Sequence, residues 1–163
     1  MRGVISEILK GIKLNGTFDY DVAVLELDEA HAVKFGEVAP IDYALFLNVQ
    51  RDQLDRFTEI DHTAELLQKV ASTARKGIVL NREDPRVSKL KGNKVQYFGL
   101  SQSMQKDFSS DDDLLDKNRK SKKNELDAIV SLEKYKDGIA TYRIGGKNYS
   151  SELKLKGSYN AYN

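Results

Sequence analysis

Glu26 and Asp28 are the residues whose types and placement could do chemistry in this sequence of 163 residues. They close a nearly continuous apolar run, Val22-Ala23-Val24-Leu25-Glu26-Leu27. Carboxylates at the tip of an apolar strand can hold Mg²⁺ directly or through water, and Mg²⁺ bridges nucleotide phosphates. Acids after a strand are also common without any metal, so a structural role stays open. The segment Asn48-Val49-Gln50-Arg51-Asp52-Gln53-Leu54-Asp55-Arg56-Phe57 follows a second apolar run and concentrates charge in Arg51, Asp52, Asp55 and Arg56. Either these side chains lie over a ligand or they pair their own charges on a surface; spacing does not separate the two. His31 and His62 have no partner at metal-ligand spacing and read as ordinary surface or helix-start histidines. Asn81-Arg82-Glu83-Asp84-Pro85 serves equally as a site loop or as a strand-to-turn connection, because Asn and Asp-Pro both favour turns.

The elements that must position these residues follow from hydrophobic periodicity. Val4, Ile5, Ile8 and Leu9 form one stripe of a short helix that Gly11 can end. Strands are expected at Val22–Leu27, Tyr43–Leu47, Ile78–Leu80 and Val95–Phe98. A helix is expected from Asp61 to Ala74, with Leu66, Leu67, Val70, Ala71 and Ala74 on one face and Thr63 or Asp61 as its cap. Continuous apolar strands separated by helices are the pattern of a parallel α/β sheet, and ligands gather at the carboxyl ends of such strands. From Ser101 to Leu126 the pattern gives way to polar residues, with acidic and basic blocks separated, which reads as a solvated, flexible insertion. Asp127–Tyr135, Ile139–Ile144 and Tyr149–Leu155 then alternate polar with apolar. Asp137-Gly138 and Gly145-Gly146 between them are turn signals, giving a small antiparallel meander.

Composition narrows the function. Lys and Arg number 26 against 25 Asp and Glu, so nothing electrostatic calls for nucleic acid or anionic lipid as a partner. The absence of Cys removes disulfides, thiolate zinc sites and a cysteine nucleophile. No apolar run approaches the roughly 20 residues of a membrane span, and the opening residues do not form a signal peptide. A soluble, cytoplasmic globular protein is the expectation. The Glu26–Asp28 strand resembles a Walker B element. Asp28-Glu29-Ala30-His31 also spells the DEAH box of a helicase family. No Ser-Ala-Thr triplet follows it and no GKT loop precedes it, and the charge balance does not suit a nucleic-acid motor.

Four segments together resemble one family. They are Val24-Leu25-Glu26-Leu27-Asp28-Glu29-Ala30, Leu47-Asn48 with Arg51-Asp52-Gln53-Leu54-Asp55-Arg56-Phe57, Leu80-Asn81 with Asp84-Pro85, and Gly157-Ser158-Tyr159-Asn160-Ala161-Tyr162-Asn163. In this order they resemble the central ATPase domain of Mur ligases. The RDQLDR core, Tyr97-Phe98-Gly99-Leu100 and the GxYNxYN ending are similar to the MurT type, the ligase subunit of lipid II isoglutaminyl synthase. The resemblance covers residues 1–100 and 139–163.

It implies a P-loop-NTPase-like α/β fold and an ATP- and Mg²⁺-dependent ligase of peptidoglycan synthesis. Such an enzyme amidates the D-glutamate of the lipid II stem peptide through an acyl phosphate, with ammonia from a GatD-like glutaminase subunit. Glu26 falls on the Mg²⁺-binding position, with Asp28 beside it. Asn163 falls on the adenine-contacting position, and Asn160 and Asn48 on the nucleotide side. Arg51, Asp52, Gln53, Asp55 and Arg56 would face the phosphate or substrate cleft. Amino-acid-adding relatives carry a metal-binding His where this chain has Gln53, and a carbamylated Lys at the position of Gln68. Both differences favour amidation over a MurE-like or folylpolyglutamate-synthase-like reaction. The MurT type carries a four-cysteine zinc ribbon where this chain has its polar insertion, so no zinc is expected. The family's GTNGKT-like P-loop belongs ahead of the first helix and is not in this sequence. The expectation is therefore a partial domain of a longer ligase, with no catalytic residue of its own. A non-catalytic remnant or interaction module is the alternative.

Overall fold

In the computed structural model the described residues are Gly3, Ser6, 10–18, 20–49, 57–106, 108, 126–155 and 157–162, with backbone alone for 57–61 and 106. Helix α1 spans Glu29–Val38 and is followed by strand β1, Tyr43–Phe46. Helix α2 (Phe57–Thr73) leads to β2 (Gly77–Asn81), a short 3₁₀ turn at Val87–Lys89, and β3 (Val95–Leu100). After the residues 101–127 come β4 (Ala128–Lys136), β5 (Ile139–Ile144), β6 (Lys147–Glu152) and a last helix α3, Ser158–Tyr162. The six strands form one sheet in sequence order. β1 through β4 run parallel, whereas β5 and β6 return antiparallel. The chain is thus α/β, and the antiparallel meander extends the parallel sheet through β4.

Apolar continuity explains the centre of the sheet. Ile78 and Leu80 on β2 are wholly buried, and Val70 and Ala71 from α2, with Ala74 just beyond it and Phe46, pack into the same core. Each fully buried Ile or Leu contributes about 1.5–3 kcal/mol. Close approach depends on two glycines. A Cβ on Gly36 of α1 would lie 3.2 Å from Thr73 Oγ1 on α2, and one on Gly92 would lie 2.9 Å from the Ala71 carbonyl. A second core of Leu100, Met104, Leu132, Ala140 and Ala161 sits under α3. Both hairpins turn through paired left-handed residues, Asp137 and Gly138, then Gly145 and Gly146. This is the type I′ geometry whose twist matches antiparallel strands.

The structure departs from the sequence expectation at 22–28 and at the start of α2. It also adds helix α1, Glu29–Val38, which was not expected, and runs β6 over Lys147–Glu152 where Tyr149–Leu155 was expected. Residues 22–28 form no strand: Val22 and Val24 are 76% and 90% exposed. An apolar run becomes a strand only beside another strand, and β1 closes the described sheet on that side with no neighbour. Helix α2 begins at Phe57, not Asp61, so Asp61 and Thr63 lie within it and do not cap it. The apolar period extends back through Ile60, and no Gly or Pro interrupts it. Gly3, Ser6, Lys10 and Gly11 are helical as expected, whereas Val4, Ile5, Ile8 and Leu9 lie outside the described residues. Among the described residues no helix is long and apolar enough to cross a membrane.

Candidate functional site

The parallel pairing of β1, β2 and β3 brings their carboxyl ends to one edge, where Asn48, Asn81 and Leu100 emerge. Asp84 fixes the loops there. Its carboxylate accepts the Val49 N–H at 2.7 Å, the Arg86 N–H at 2.8 Å and the Val87 N–H at 3.0 Å. One buried side chain therefore ties the segment after β1 to the turn after β2. Backbone donors in such a loop have no ladder partner, and an ionised acceptor is the strongest substitute.

Asn81, at the end of β2, is 2% exposed. Its Oδ1 accepts the Glu83 N–H at 2.8 Å and also the hydroxyl of Tyr162, the penultimate residue of the GxYNxYN segment. The Tyr162 ring stacks obliquely against Phe98, centroids 5.7 Å apart, and against Phe108 at 5.5 Å. Burial, reinforced by the nearby Glu83 carboxylate, holds its hydroxyl protonated far above the ordinary tyrosine range. Two further bonds seat α3: Tyr142 Oη donates to the Ala161 carbonyl at 2.7 Å, and the Gly157 N–H donates to Tyr135 Oη at 2.8 Å. Gly157 enters the helix at φ 121°, a backbone conformation that a side chain would strain.

Arg82 and Glu83 form an ion pair at 3.1 Å with side chains only 12% and 10% exposed. The guanidinium also donates to the Leu100 carbonyl at 2.5 Å and the Leu126 carbonyl at 3.0 Å. Glu83 Oε1 accepts the Leu100 N–H at 3.1 Å. This pair lies over Gly99, where a Cβ would come within 2.7 Å of Arg82 Nε and 2.9 Å of Glu83 Oε1. Sequence reasoning placed Arg82 and Glu83 in a possible site loop, Asn81–Pro85, and Tyr162 in the GxYNxYN segment, but gave none of the three a role of its own. Nothing in that loop signals the distant carbonyls that Arg82 binds.

Glu26 lies exposed in the irregular segment before α1. Asp28 is the N-cap of α1: its Oδ1 accepts the His31 N–H at 2.8 Å, and Oδ2 lies 2.7 Å from His31 Nδ1. The bond from the His31 backbone, then the contact with its ring, holds the Asp28 carboxyl below its usual range. His62 is exposed, 4.0 Å from Glu65. Asn48 is half-buried and Asn160 is exposed on α3. Gln68 binds the backbone of Lys91 at both ends, donating to its carbonyl at 2.9 Å and accepting its N–H at 3.0 Å. Arg51, Asp52, Gln53, Asp55, Arg56 and Asn163 lie outside the described residues, as does most of the polar stretch 101–126. Among the described residues no three His, Asp or Glu could cage a metal. Mg²⁺ needs no such cage, since it keeps several waters and takes one or two carboxylates plus phosphate oxygens. The exposed Glu26 carboxylate fits that demand.

The sequence profile of the family described as Mur ligase middle domain matches residues 10–163. Over 82 residues the chain is 37% identical to the lipid II isoglutaminyl synthase (glutamine-hydrolyzing) subunit MurT of Staphylococcus aureus strain COL, and equally to that of strain N315. The match covers 48% of this chain and 18% of each relative.

Proposed function

Because this chain belongs to the Mur ligase middle-domain family, we propose that it supplies part of the nucleotide site of an ATP-dependent carbon–nitrogen ligase of peptidoglycan synthesis. The observation that carries this reading is the Asn81–Tyr162 hydrogen bond. It joins the Asn-x-x-Asp-Pro turn and the GxYNxYN segment at the carboxyl ends of parallel strands, the edge at which α/β sheets bind ligands. Asn160 and Asn163 would contact the base, Asn48 and the Arg51–Arg56 segment would face the phosphates or acceptor, and Glu26 would hold Mg²⁺ with Asp28 beside it. Bound Mg²⁺ would offset the charge of the phosphates.

The specific reaction is amidation of the D-glutamate carboxyl of lipid II. ATP would give its γ-phosphoryl group to a carboxylate oxygen, forming an acyl phosphate. Ammonia from a GatD-like glutaminase subunit would attack the carbonyl carbon, with phosphate leaving. The likeness to MurT supports this subtype. So does Gln68, whose amide is occupied by the Lys91 backbone where amino-acid-adding ligases need a lysine carbamate. A cytoplasmic setting follows from that substrate chemistry.

Mass spectrometry of the product tests the reading. The ligase carrying this domain is incubated with lipid II, Mg-ATP and either ammonium or free amino acids. Amide formed with ammonium alone is expected; amino-acid addition would overturn the amidation subtype, and no nucleotide turnover in either arm would overturn the ligase reading.

A further inference from the structure

Parallel β3 and β4 cannot be joined by a tight turn, and residues 101–127 provide the crossover. The chain leaves the sheet at Leu100 and returns past Leu126. Arg82 holds both points at once, one guanidinium nitrogen on each carbonyl, at 2.5 and 3.0 Å. Only the planar fork of arginine can bridge two such acceptors while pairing a carboxylate through Nε. Its immediate neighbour Asn81 accepts the Tyr162 hydroxyl, and its own backbone N–H donates to the carbonyl of Phe98, whose ring rests on Tyr162. The stems of the crossover and the last helix therefore meet on two consecutive residues, the last of β2 and the first of the turn after it.

We propose that Arg82 is a positioning residue that transmits the spacing of the Leu100 and Leu126 stems, through Asn81 and Tyr162, to helix α3 and its nucleotide-facing motif. A change that spreads the stems pulls the guanidinium, shifts the turn after β2 and loosens the seat of Tyr162. The consequence for nucleotide affinity rests on the ligase reading above; the mechanical linkage does not.

Two variants perturb the clamp differently. Arg82→Lys keeps the charge and loses the fork. Gly99→Ala keeps the fork and pushes it, because the new Cβ would meet Arg82 Nε at 2.7 Å. Both variants are made in the ligase carrying this domain; amide hydrogen exchange is followed at 158–162, at 126–128 and at Ile78–Leu80, and Mg-ATP affinity is measured by calorimetry. In both variants exchange at 158–162 should rise at least about tenfold with the Ile78–Leu80 amides unchanged. Mg-ATP should bind at least about fivefold more weakly. Faster exchange confined to 126–128, or rising equally throughout the sheet, overturns the linkage. If the unaltered ligase binds no Mg-ATP while 158–162 still responds, the linkage stands and the nucleotide reading falls. If Mg-ATP binds all three proteins alike and 158–162 does not respond, the linkage alone falls.

Discussion

The Tyr162 hydroxyl donates a hydrogen bond to Oδ1 of Asn81, joining the end of β2 to the last helix across 81 positions of sequence. The acceptor is shared with the Glu83 N–H at 2.8 Å. Tyr162→Phe keeps the ring contacts with Phe98 and Phe108 and removes only the donor. Asn81 remains partly satisfied by Glu83, so the expected loss of stability is about 1–2 kcal/mol. Urea denaturation should show a lower midpoint with an unchanged slope. A slope change would mean that α3 had come away from the sheet.

The same hydroxyl makes an alkaline prediction. Burial raises its folded-state pKa above the unfolded tyrosine value. Stability from the neutral phenol is therefore fully present below about pH 10, the unfolded value, and is lost as pH rises above it. Spectrophotometric titration near 295 nm should find one of the tyrosines silent until the protein unfolds. Tyr162→Phe should abolish that silent fraction and flatten the alkaline loss of stability. A wild-type titration in which every tyrosine ionises before unfolding would contradict the buried placement.

How much of this was legible follows from which interactions are local. Tyr43–Phe46 and Gly77–Asn81 are read from their own apolar runs, and Asp137-Gly138 and Gly145-Gly146 declare their hairpins in two residues each. Val22–Leu27 has the same apolar signature and forms no strand, because pairing depends on a neighbour that the run does not encode. Asp28 reads in the sequence as a possible metal ligand beside Glu26 with no helix expected after it, and in the folded chain it caps α1. Arg82 binds carbonyls 18 and 44 positions away, so no window around it shows its role. The ordered motifs were legible as a family, but the bond between two of them was not.

Asp84 should be the costliest polar position of the site. It is 8% exposed and accepts three backbone N–H groups from two loops. Asp84→Ala leaves the Val49, Arg86 and Val87 amides without their acceptor, each such buried group costing about 1–3 kcal/mol when water cannot reach it. Partial hydration of the opened loop reduces the sum, and about 3 kcal/mol is expected overall. Asp84→Asn retains one acceptor oxygen and should recover part of that. Chemical denaturation of the two variants checks the order.

The Asp28 cap gives the acidic counterpart. Its carboxyl is held below the unfolded value by the His31 N–H first and the His31 ring second. A depressed folded pKa contributes stability above the unfolded value of 3.8 that is lost as pH falls through the folded one. The amide proton of His31, bonded to that carboxylate, should shift in NMR with a midpoint below 3.8. Asp28→Ala should remove the transition and accelerate hydrogen exchange in the first turn of α1, leaving α2 unaffected.

Glu26 separates binding chemistry from fold stability. Its side chain is exposed in a segment without ladder bonds, so Glu26→Gln should leave the unfolding midpoint within about 0.5 kcal/mol of wild type. The amide is isosteric but uncharged, and a neutral oxygen is a weak ligand for a hard divalent cation. In the complete ligase, Mg²⁺-dependent turnover should fall by about two orders of magnitude, a size typical of removing one group that stabilises transition-state charge. Raising the Mg²⁺ concentration should restore part of the loss if the defect is in metal affinity. Near-normal turnover at low Mg²⁺ would refute the assignment, whereas a lowered unfolding midpoint would show that Glu26 has a structural partner instead.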